Sequence, residues 1–345
     1  MNDLPDVEEL LDGAAVVRLP MRIRFRGQQA REAMLLRGPA GWAEFAPFAE
    51  YGPEESSAWL AAAVDAGWCG LGEPLRTHIP INATVPAVPA SQVSEVLAGF
   101  GRPEAIPAVK VKVAEPGQTL DDDVARLREV SRLLPQAGLR ADANGAWDLQ
   151  QAVRGIDALA EVAQGRMEYV EQPVAGVEPL AELREMLDSR GISVRIAADE
   201  ALRKAEDPLR VARLGAADLI VVKAAPLGGV TRAAEVVRAA GLDAVVSSAL
   251  DTSVGLTAGL ALAARLDRLP YACGLGTAAL LAADVVASPL IPQEGRLEVP
   301  VRDGRVTAPE PQAELMAAHR VEQQRHRWWE ERLHAAHQVL VSRRP

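Results

Sequence analysis

The sequence predicts an α/β fold, in which repeated strand–helix units form a parallel sheet that follows a smaller α+β module. Three observations predict it. Residues 14–48 alternate short apolar runs with turn residues, residues 108–290 alternate β-branched runs with helix-forming segments, and residues 312–340 have the composition of one long helix. Repeated strand–helix units form either a closed barrel or an open, doubly wound sheet, and both remain open at this point.

The N-terminal region is typical of an antiparallel meander. Gly38-Pro39-Ala40-Gly41 separates two apolar runs and predicts a hairpin turn. Pro53-Glu54-Glu55 then supplies the proline and acidic side chains that suit the first turn of a helix. We therefore predict an α+β capping domain at residues 1–95, completed by residues 291–345, which are expected to pack back on it.

Residues 96–290 are predicted to form the catalytic domain, because short apolar runs recur there with helical segments between them. The seven predicted strands are 108–113, 138–141, 168–170, 195–198, 219–222, 244–247 and 271–274.

Charge and composition narrow the class of partner. The net charge of −10 argues against nucleic-acid binding, because neutralising phosphates requires a surplus of Lys and Arg. The acidic start of the chain is the reverse of a secretory signal, and no apolar stretch is long enough to span a membrane. Cys69 and Cys273 lack metal-type spacing and are expected to be reduced packing residues. We expect a cytoplasmic protein that acts on a small molecule, and we make no prediction of its oligomeric state.

A charged residue lies at the end of each of five successive predicted strands, at or directly after its last positions, where packing alone favours an apolar residue. These charged residues are Lys112, Asp142, Glu171, Asp199 and Lys223. The intervals of 30, 29, 28 and 24 residues each match about one strand–helix unit of an eightfold barrel, so the five side chains would lie at one rim. Three carboxylates without Cys or His suit Mg²⁺ or Mn²⁺ rather than zinc. Helix capping would explain any one of these acids, but not three in register.

The lysines are few and clustered. Only four occur beside 33 arginines, and Lys204 is the only one that does not lie near a predicted strand end. Lys110 and Lys112 lie two residues apart, so both side chains leave the same face of their strand. Arginine stays protonated, whereas neighbouring cations can lower the pKa of a lysine into the range of a base. A solvated lysine face on an edge strand is the alternative.

The segment Gly274-Leu275-Gly276-Thr277-Ala278-Ala279 matches a dinucleotide-binding pattern. It follows the last predicted strand instead of the first, and no acid lies about 20 residues later. We interpret it as a rim loop whose backbone N–H groups at Gly274 and Gly276 would bind a substrate carboxylate.

Short motifs surround the charged residues. They are Lys110-Val111-Lys112, Asp142-Ala143-Asn144, Glu171-Gln172-Pro173, Ala198-Asp199-Glu200 and Val222-Lys223. Together they resemble the muconate-lactonising branch of the enolase superfamily, and the resemblance covers nearly the whole chain, including residues 41–48 and 247–253.

This resemblance implies a modified TIM barrel of the (β/α)7β type and a Mg²⁺-dependent lyase that acts on a small carboxylate. Asp142, Glu171 and Asp199 would hold the ion, with Mn²⁺ as an alternative, and the ion would stabilise an enediolate. The implied reaction dehydrates 2-succinyl-6-hydroxy-2,4-cyclohexadiene-1-carboxylate to o-succinylbenzoate in menaquinone biosynthesis.

The resemblance also implies roles for the remaining residues. Lys112 would be the base and return the proton to the departing hydroxyl, Lys223 would face the ring as a cation, and Lys110 would orient Lys112. Asn144 and Glu200 would fix the geometry of the acids and lysines. The expected substrate contacts are Arg24, Ser247, Ser248, Gly274 and Gly276.

Two alternatives differ in function. A racemase of N-acylamino acids or an epimerase of dipeptides also needs a lysine on each face of its substrate. Dipeptide epimerases of this branch carry an Asp-x-Asp after the eighth strand, where this chain has residues 274–277 without an acid. A barrel without catalytic activity is the second alternative, and it would be expected to lack part of the charged set.

Overall fold

The structure is a computed structural model that describes residues 4–25, 27–203 and 207–343. Lys204 lies outside the described residues. The strands are β1 Ala15–Phe25, β2 Gln28–Gly38, β3 Gly41–Phe45, β4 His78–Pro80, β5 Ala83–Val85, β6 Ala108–Lys112, β7 Gly138–Asp142, β8 Met167–Glu171, β9 Ile196–Ala198, β10 Leu219–Val222, β11 Asp243–Val246, β12 Arg296–Glu298, β13 Val301–Arg302 and β14 Arg305–Val306.

The helices alternate with these strands through the middle of the chain. They are α1 Val7–Leu11, α2 Pro53–Val64, α3 Val93–Ala98, α4 Leu120–Leu133, α5 Leu149–Ala163, α6 Val177–Ser189, α7 Glu200–Arg203, α8 Arg210–Arg213, α9 Val230–Ala240, α10 Ser253–Arg265, α11 Ala313–Ala318 and α12 Gln323–Ser342. No helix of the described chain is long and apolar enough to cross a membrane.

The N-terminal part forms a three-stranded antiparallel sheet in the order β1-β2-β3, with Gly38 opposite Gly41 at the predicted turn. Helix α2 begins with Pro53 at its first position and packs against α12 from the C-terminal end of the chain. Trp329 of α12 is buried, and its indole N–H donates to Glu32 of β2 at 2.9 Å. The C-terminal helix therefore stabilises the capping sheet.

The central sheet contains β5 to β11, all parallel and in consecutive order. Gly274 pairs with Ser247 beyond one edge strand, and Cys273 pairs with Ile81 beyond the other. These two residues supply the eighth position and close the sheet into a barrel. The predicted α/β fold is confirmed, and the open, doubly wound alternative is wrong.

Two details differ from the predicted strands. Strand β5 was not predicted, and it pairs in parallel with β6 inside the barrel sheet, so the predicted boundary at residue 95 falls after the first barrel strand. The predicted strand 271–274 is reduced to two isolated bridges, in which Cys273 pairs with Ile81 and Gly274 pairs with Ser247.

The helices around the barrel begin at side-chain caps that the sequence supplies. Thr119 and Asp122 form a reciprocal capping box at α4, and Asp148 and Gln151 form one at α5. Each box satisfies N–H groups that the first helical turn leaves unpaired. The helices therefore start at fixed points after their strands, and this fixes the loops that lie beside the site.

Side chains fill the interior of the barrel on the amino-terminal side of the charged strand ends. Tyr169, Leu219, Val221 and Tyr271 form a buried cluster there. Arg140 is also fully buried, donates to Glu168 at 2.6 Å and to the carbonyl of Ala272 at 2.7 Å, and lies over the Tyr169 ring. The barrel is therefore a packed core, and its open space lies at the carboxyl ends of the strands.

Candidate active site

The five predicted charged residues converge in one cavity at the carboxyl ends of the strands. Lys112 of β6 is the register partner of Asp142 of β7, which is in turn the partner of Glu171 of β8. Asp199 follows β9 and Lys223 follows β10, and both line the same cavity. The regular interval between charged residues therefore reflects neighbouring strands of one barrel.

The first two lysines each bind carboxylates of the neighbouring strands. Lys110 Nζ lies 2.9 Å from Glu171 Oε2 and 3.5 Å from Asp142 Oδ2. Lys112 Nζ donates to Asp142 Oδ2 at 2.6 Å and to Asn144 Oδ1 at 2.6 Å. The two side chains share a face of β6, as their spacing predicted, and they point into the barrel.

Lys223 approaches the cavity from the opposite side and donates to Asp199 Oδ2. In the closed barrel, three strand positions separate β6 from β10 in either direction. Lys112 and Lys223 therefore stand across the cavity from each other, with the three carboxylates on the strands between them.

Burial and neighbouring charges shift the pKa values of this group. Burial lowers the pKa of Lys112, and the adjacent Lys110 adds to that effect against the pull of Asp142. Burial also acts to lower the pKa of Lys110, but Glu171 and Asp142 outweigh it and hold the pKa above its usual range. Lys112 is therefore the lysine that loses its proton more readily.

The carboxylates differ in the same way. Burial and the charge of Asp142 raise the pKa of Glu171 to about 7. Burial acts to raise the pKa of Asp142 as well, but Lys112 and Lys110 outweigh it and hold that pKa below its usual range. In this site each of the three carboxylates therefore binds the ammonium group of a lysine.

The residues just after the strands adopt an unusual backbone. Asn144 has a φ of 48° and Gln172 a φ of 39°, in the left-handed region that few residues other than glycine adopt. Asn144 donates through its backbone N–H to Asp142 and through its side chain to Glu200 at 3.3 Å. Asn144 thus links Lys112, Asp142 and Glu200.

Gln172 is a site residue that was not predicted. Its side-chain oxygen accepts from the backbone N–H groups of Asp199 and Ala201 at 3.0 Å each, and its side-chain nitrogen donates to the carbonyl of Val174. Gln172 therefore holds the start of the loop that carries Asp199. Its position directly after Glu171 was the available signal.

The donor set of the cavity fits a hard cation. Its lining contains the carboxylates of Asp142, Glu171 and Asp199 and no cysteine or histidine. Within the described ranges, however, no three acidic, His or Cys side chains are grouped around one point as a metal site requires. Each of these carboxylates binds a lysine instead. The shared ion therefore stays a prediction that the residue types support.

The predicted substrate contacts divide into two groups. Ser247, Ser248 and Gly274 line the cavity. The N–H of Gly274 donates to the carbonyl of Val246 within the barrel sheet, so this N–H does not support the expected contact with a substrate carboxylate. Gly276 does not line the cavity, because it packs against Ile81 and Phe100.

Arg24 is exposed and lies outside the cavity lining, where its neighbour Phe25 is found instead. Successive side chains of a strand point to opposite faces, so Phe25 faces the cavity and the adjacent Arg24 faces away from it. The Phe25 ring lies 5.5 Å from Lys112 Nζ. The expected substrate contact from Arg24 has no support in this arrangement.

Several lining residues were not among the predicted substrate contacts. They are Phe25, Phe48, Thr84, Leu250 and Thr277. The two phenylalanines come from the capping domain, and Thr84 is the register partner of Lys110. The hydroxyls of Ser248 and Thr277 lie 2.7 Å apart and add polar groups to the lining of the cavity.

Two family models match the chain. Residues 16–67 match a model described as enolase N-terminal domain-like, and residues 90–313 match one described as enolase C-terminal domain-like. The second match alone covers more than half of the chain.

Curated relatives match over nearly the full length. An o-succinylbenzoate synthase of Mycobacterium ulcerans is 52% identical over 341 residues, which cover 99% of this chain and 97% of the relative. That of Mycolicibacterium smegmatis is 48% identical over 345 residues, with 98% and 99% covered. That of Mycobacterium tuberculosis is 49% identical over 338 residues, with 98% of each chain covered.

Solved structures share the fold at lower identity. A muconate lactonizing enzyme from Pseudomonas fluorescens, complexed with muconolactone, superposes with a TM-score of 0.73 at 19% identity and covers 89% of this chain and 98% of that one. A 2-chloromuconate cycloisomerase from Rhodococcus opacus gives a TM-score of 0.72 at 22% identity, with 90% and 98% covered.

Proposed function

Because the chain belongs to the enolase superfamily and, within it, to the family of the o-succinylbenzoate synthases, we propose that it dehydrates 2-succinyl-6-hydroxy-2,4-cyclohexadiene-1-carboxylate to o-succinylbenzoate. The product is the compound after which the relatives are named, and the proposal assigns the chain to menaquinone biosynthesis. The observation that carries the proposal is the pair of lysines, Lys112 and Lys223, that face each other across three carboxylates.

Asp142, Glu171 and Asp199 would hold a divalent cation, Mg²⁺ in this proposal. Three carboxylate oxygens are the ligands that this ion prefers, and the cavity offers no softer donor. When bound, the ion supplies positive charge that stabilises the enediolate formed on a substrate carboxylate. The lysines that now occupy the acids are the groups it must displace.

Lys112 is the base. In its neutral form Nζ takes the proton on the carbon next to the ring carboxylate, and the electrons of that C–H bond move toward the carboxylate. The C–O bond to the departing hydroxyl then breaks, and the hydroxyl leaves as water with the proton that Lys112 returns. Burial and Lys110 favour the neutral form of Lys112, as this role requires.

Lys223 stays cationic and faces the other side of the ring. A positive charge there stabilises the negative charge that develops during proton removal, and it makes a favourable contact with the aromatic ring that forms. Lys223 lies across the barrel from Lys112, so the substrate ring fits between the two amines.

The remaining lining residues enclose the substrate. Phe25 and Phe48 of the capping domain and Leu250 of the barrel provide apolar surface for the ring. Ser248 and Thr277 provide hydroxyl groups for the carboxylate at the end of the succinyl chain, which is the second carboxylate of the substrate. The capping domain thus completes the site and keeps bulk water from it.

Racemisation of N-acylamino acids is the second candidate, because a lysine on each face also permits proton removal on one side and return on the other. Dipeptide epimerisation has less support, since residues 274–277 contain no acid for a substrate ammonium. A barrel without activity has least support, because all five charged residues line one cavity. Exchange of the substrate α-proton with deuterium, measured with and without Mg²⁺, distinguishes the inactive barrel, which would show no exchange, from either enzyme.

Steady-state turnover of the cyclohexadiene carboxylate beside a panel of N-succinylamino acids tests the proposal. We expect Mg²⁺-dependent dehydration with kcat/KM well above that for racemisation of every amino acid in the panel. A kcat/KM for an N-succinylamino acid far above that for dehydration would overturn the lyase assignment.

A further inference from the structure

Lys223 lies between two cavities. One is the active-site cavity, and the other, which we call the rear cavity, lies between α2, α10 and the loop after β10. Lys223, Ser247 and Ala249 line both. The rear cavity is otherwise mostly apolar, with walls that include Trp42, Trp59 and Val254.

Two acids, Glu44 and Asp251, line this otherwise apolar space. Glu44 Oε2 accepts from the backbone N–H of Thr252 at 3.0 Å and from its hydroxyl at 2.5 Å. Gly255 makes room for the Glu44 carboxyl, because a Cβ there would lie 2.6 Å from its carbon. Asp251 Oδ2 accepts from the N–H of Ala249 at 3.1 Å.

The pKa values of the two acids are shifted by burial and by different charged neighbours. Burial and the nearby Asp251 raise the pKa of Glu44 to about 8, against the opposing effect of Arg31, so Glu44 is mostly neutral at pH 7. Burial also raises the pKa of Asp251, but Arg31 and Lys223 both favour its charged form. Asp251 is therefore the acid of the rear cavity whose charged form Lys223 stabilises.

Lys223 has a competing partner in the active site. Its ammonium donates to Asp199, which is one of the three proposed ligands of the cation. A carboxylate that coordinates a divalent ion gives up much of its attraction for an ammonium, and the ion itself repels that ammonium. Lys223 then needs another anion, and Asp251 lines the rear cavity, which Lys223 also borders, and does not line the active-site cavity.

We propose that Asp251 is a positioning residue that holds the Lys223 ammonium when Asp199 binds the divalent cation. This inference rests on the proposed function, because it assumes that Asp199 is a metal ligand. Lys223 thereby exchanges Asp199 for Asp251 as the ion enters, and it keeps both its charge and a fixed direction toward the substrate.

Calorimetric titration with Mn²⁺, in the absence of substrate, tests the exchange. In Asp251→Asn the Lys223 ammonium loses its second carboxylate partner and stays on Asp199, where it competes with the ion. We therefore expect the affinity for Mn²⁺ to fall about tenfold, which is within the range common for coupled sites. In a Lys223→Met background the same Asp251→Asn change should leave the affinity within about twofold. Asp243→Asn, at the opposite end of β11, is the matched control and should bind Mn²⁺ like wild type.

The outcomes separate this inference from the proposed function. Absence of Mn²⁺ binding by the wild type would overturn the metal site and the proposed function with it. Wild-type binding that Asp251→Asn leaves unchanged would overturn the exchange alone, as would an equal loss of affinity in the Lys223→Met background. Asp251→Glu keeps the charge and should restore the affinity.

A measurement on the wild type does not depend on the variants folding. The chain has only four lysines, so ¹³C-labelled lysine ε-carbons give four NMR signals, and Lys223→Met identifies the one from Lys223. With Asp251 as the second partner, the Lys223 signal should shift on Mg²⁺ addition while its order parameter stays at the metal-free value. An order parameter that falls to that of a free side chain would contradict the exchange. In turnover, Asp251→Asn should lower kcat while KM changes little, because Asp251 acts through Lys223.

Discussion

Lys112 Nζ lies 2.6 Å from Asp142 Oδ2, with both side chains almost completely shielded from solvent. This bond joins the proposed base to a proposed metal ligand. While it persists, the charged form of Lys112 is favoured, because a carboxylate within hydrogen-bond distance stabilises an ammonium. An ion held by Asp142 would weaken that attraction, so the proposed site would couple binding of the ion to release of a neutral amine.

The first prediction concerns Lys112. Replacing it with Ala should lower kcat by about a thousandfold, because a positioned base contributes roughly 10²- to 10⁴-fold. The affinity for Mg²⁺ should not fall, since the variant removes a competitor for Asp142. Steady-state rates and calorimetry measure the two effects separately. Lys112→Arg is the matched control for charge, and it should be equally inactive because arginine stays protonated. A Lys112→Ala variant with a near-normal rate would remove Lys112 as the base.

The second prediction concerns Asp199, which is buried beside Lys223. Asp199→Ala should weaken Mg²⁺ binding by at least about tenfold, because one of three charged ligands is lost. Calorimetry with Mg²⁺ provides the measurement, and circular dichroism checks that the barrel has folded. Asp243→Ala, at the other end of the barrel, should bind the ion normally. Equal affinity in Asp199→Ala and wild type would contradict the role of Asp199 as a ligand.

The sequence was sufficient to predict the charged part of the site. Lys112, Asp142 and Glu171 end neighbouring strands in direct register, and the length of one strand–helix unit sets the interval between them. Parallel strands present their carboxyl ends at one rim, so the spacing alone implied that these side chains meet. Lys110 followed from the alternation of side chains along β6.

Other features depend on contacts that no local pattern encodes. Strand β5 has three residues and is recognised only by its pairing with β6. Phe25 and Phe48 enter the cavity because of how the capping sheet docks on the barrel. Arg24 was expected where Phe25 is found, since a shift of one residue along a strand moves a side chain to the opposite face. Gln172 contributes through a left-handed backbone conformation that its residue type does not indicate.

The third prediction concerns the dependence of stability on pH. The folded state raises the pKa of Glu44 from 4.5 to about 8, so between these values it binds a proton that the unfolded chain releases. Its stabilising effect is complete below the unfolded pKa and is lost as the pH rises through the folded pKa. Relative to Glu44→Gln, the free energy of unfolding of the wild type should therefore fall from pH 5 to 8, by at most about 1.4 kcal/mol per pH unit.

Urea unfolding at several pH values measures this difference. Asp251 and Arg31 are the charged groups that act on Glu44, and Thr252 donates hydrogen bonds to its carboxyl group. Glu44→Gln keeps the shape and the acceptor oxygen while it removes the charge. Glu298→Gln, at an exposed position of β12, is the control and should follow the wild-type curve. A constant difference between Glu44→Gln and wild type across the range would contradict a raised pKa.

The last prediction concerns the C-terminal helix α12. Trp329 packs edge-on against Phe45 of the capping sheet with ring centroids 5.9 Å apart, and Arg332, one turn later, donates to the carbonyl of Pro47 at 3.1 Å. Trp329→Ala should lower the free energy of unfolding by about 3 to 5 kcal/mol, because a buried ring is lost and the Glu32 acceptor loses a donor.

The adjacent Trp328 is only partly buried, so Trp328→Ala is a matched control and should cost less than half as much in urea unfolding. Arg332 also donates to the carbonyl of Phe48, a residue that lines the active-site cavity. Loosening α12 should therefore raise KM for the substrate in Trp329→Ala more than in Trp328→Ala. Equal losses of stability in the two variants would mean that α12 does not anchor the cap through Trp329, and the link from the C-terminal helix to the Phe48 wall of the site would lose its support.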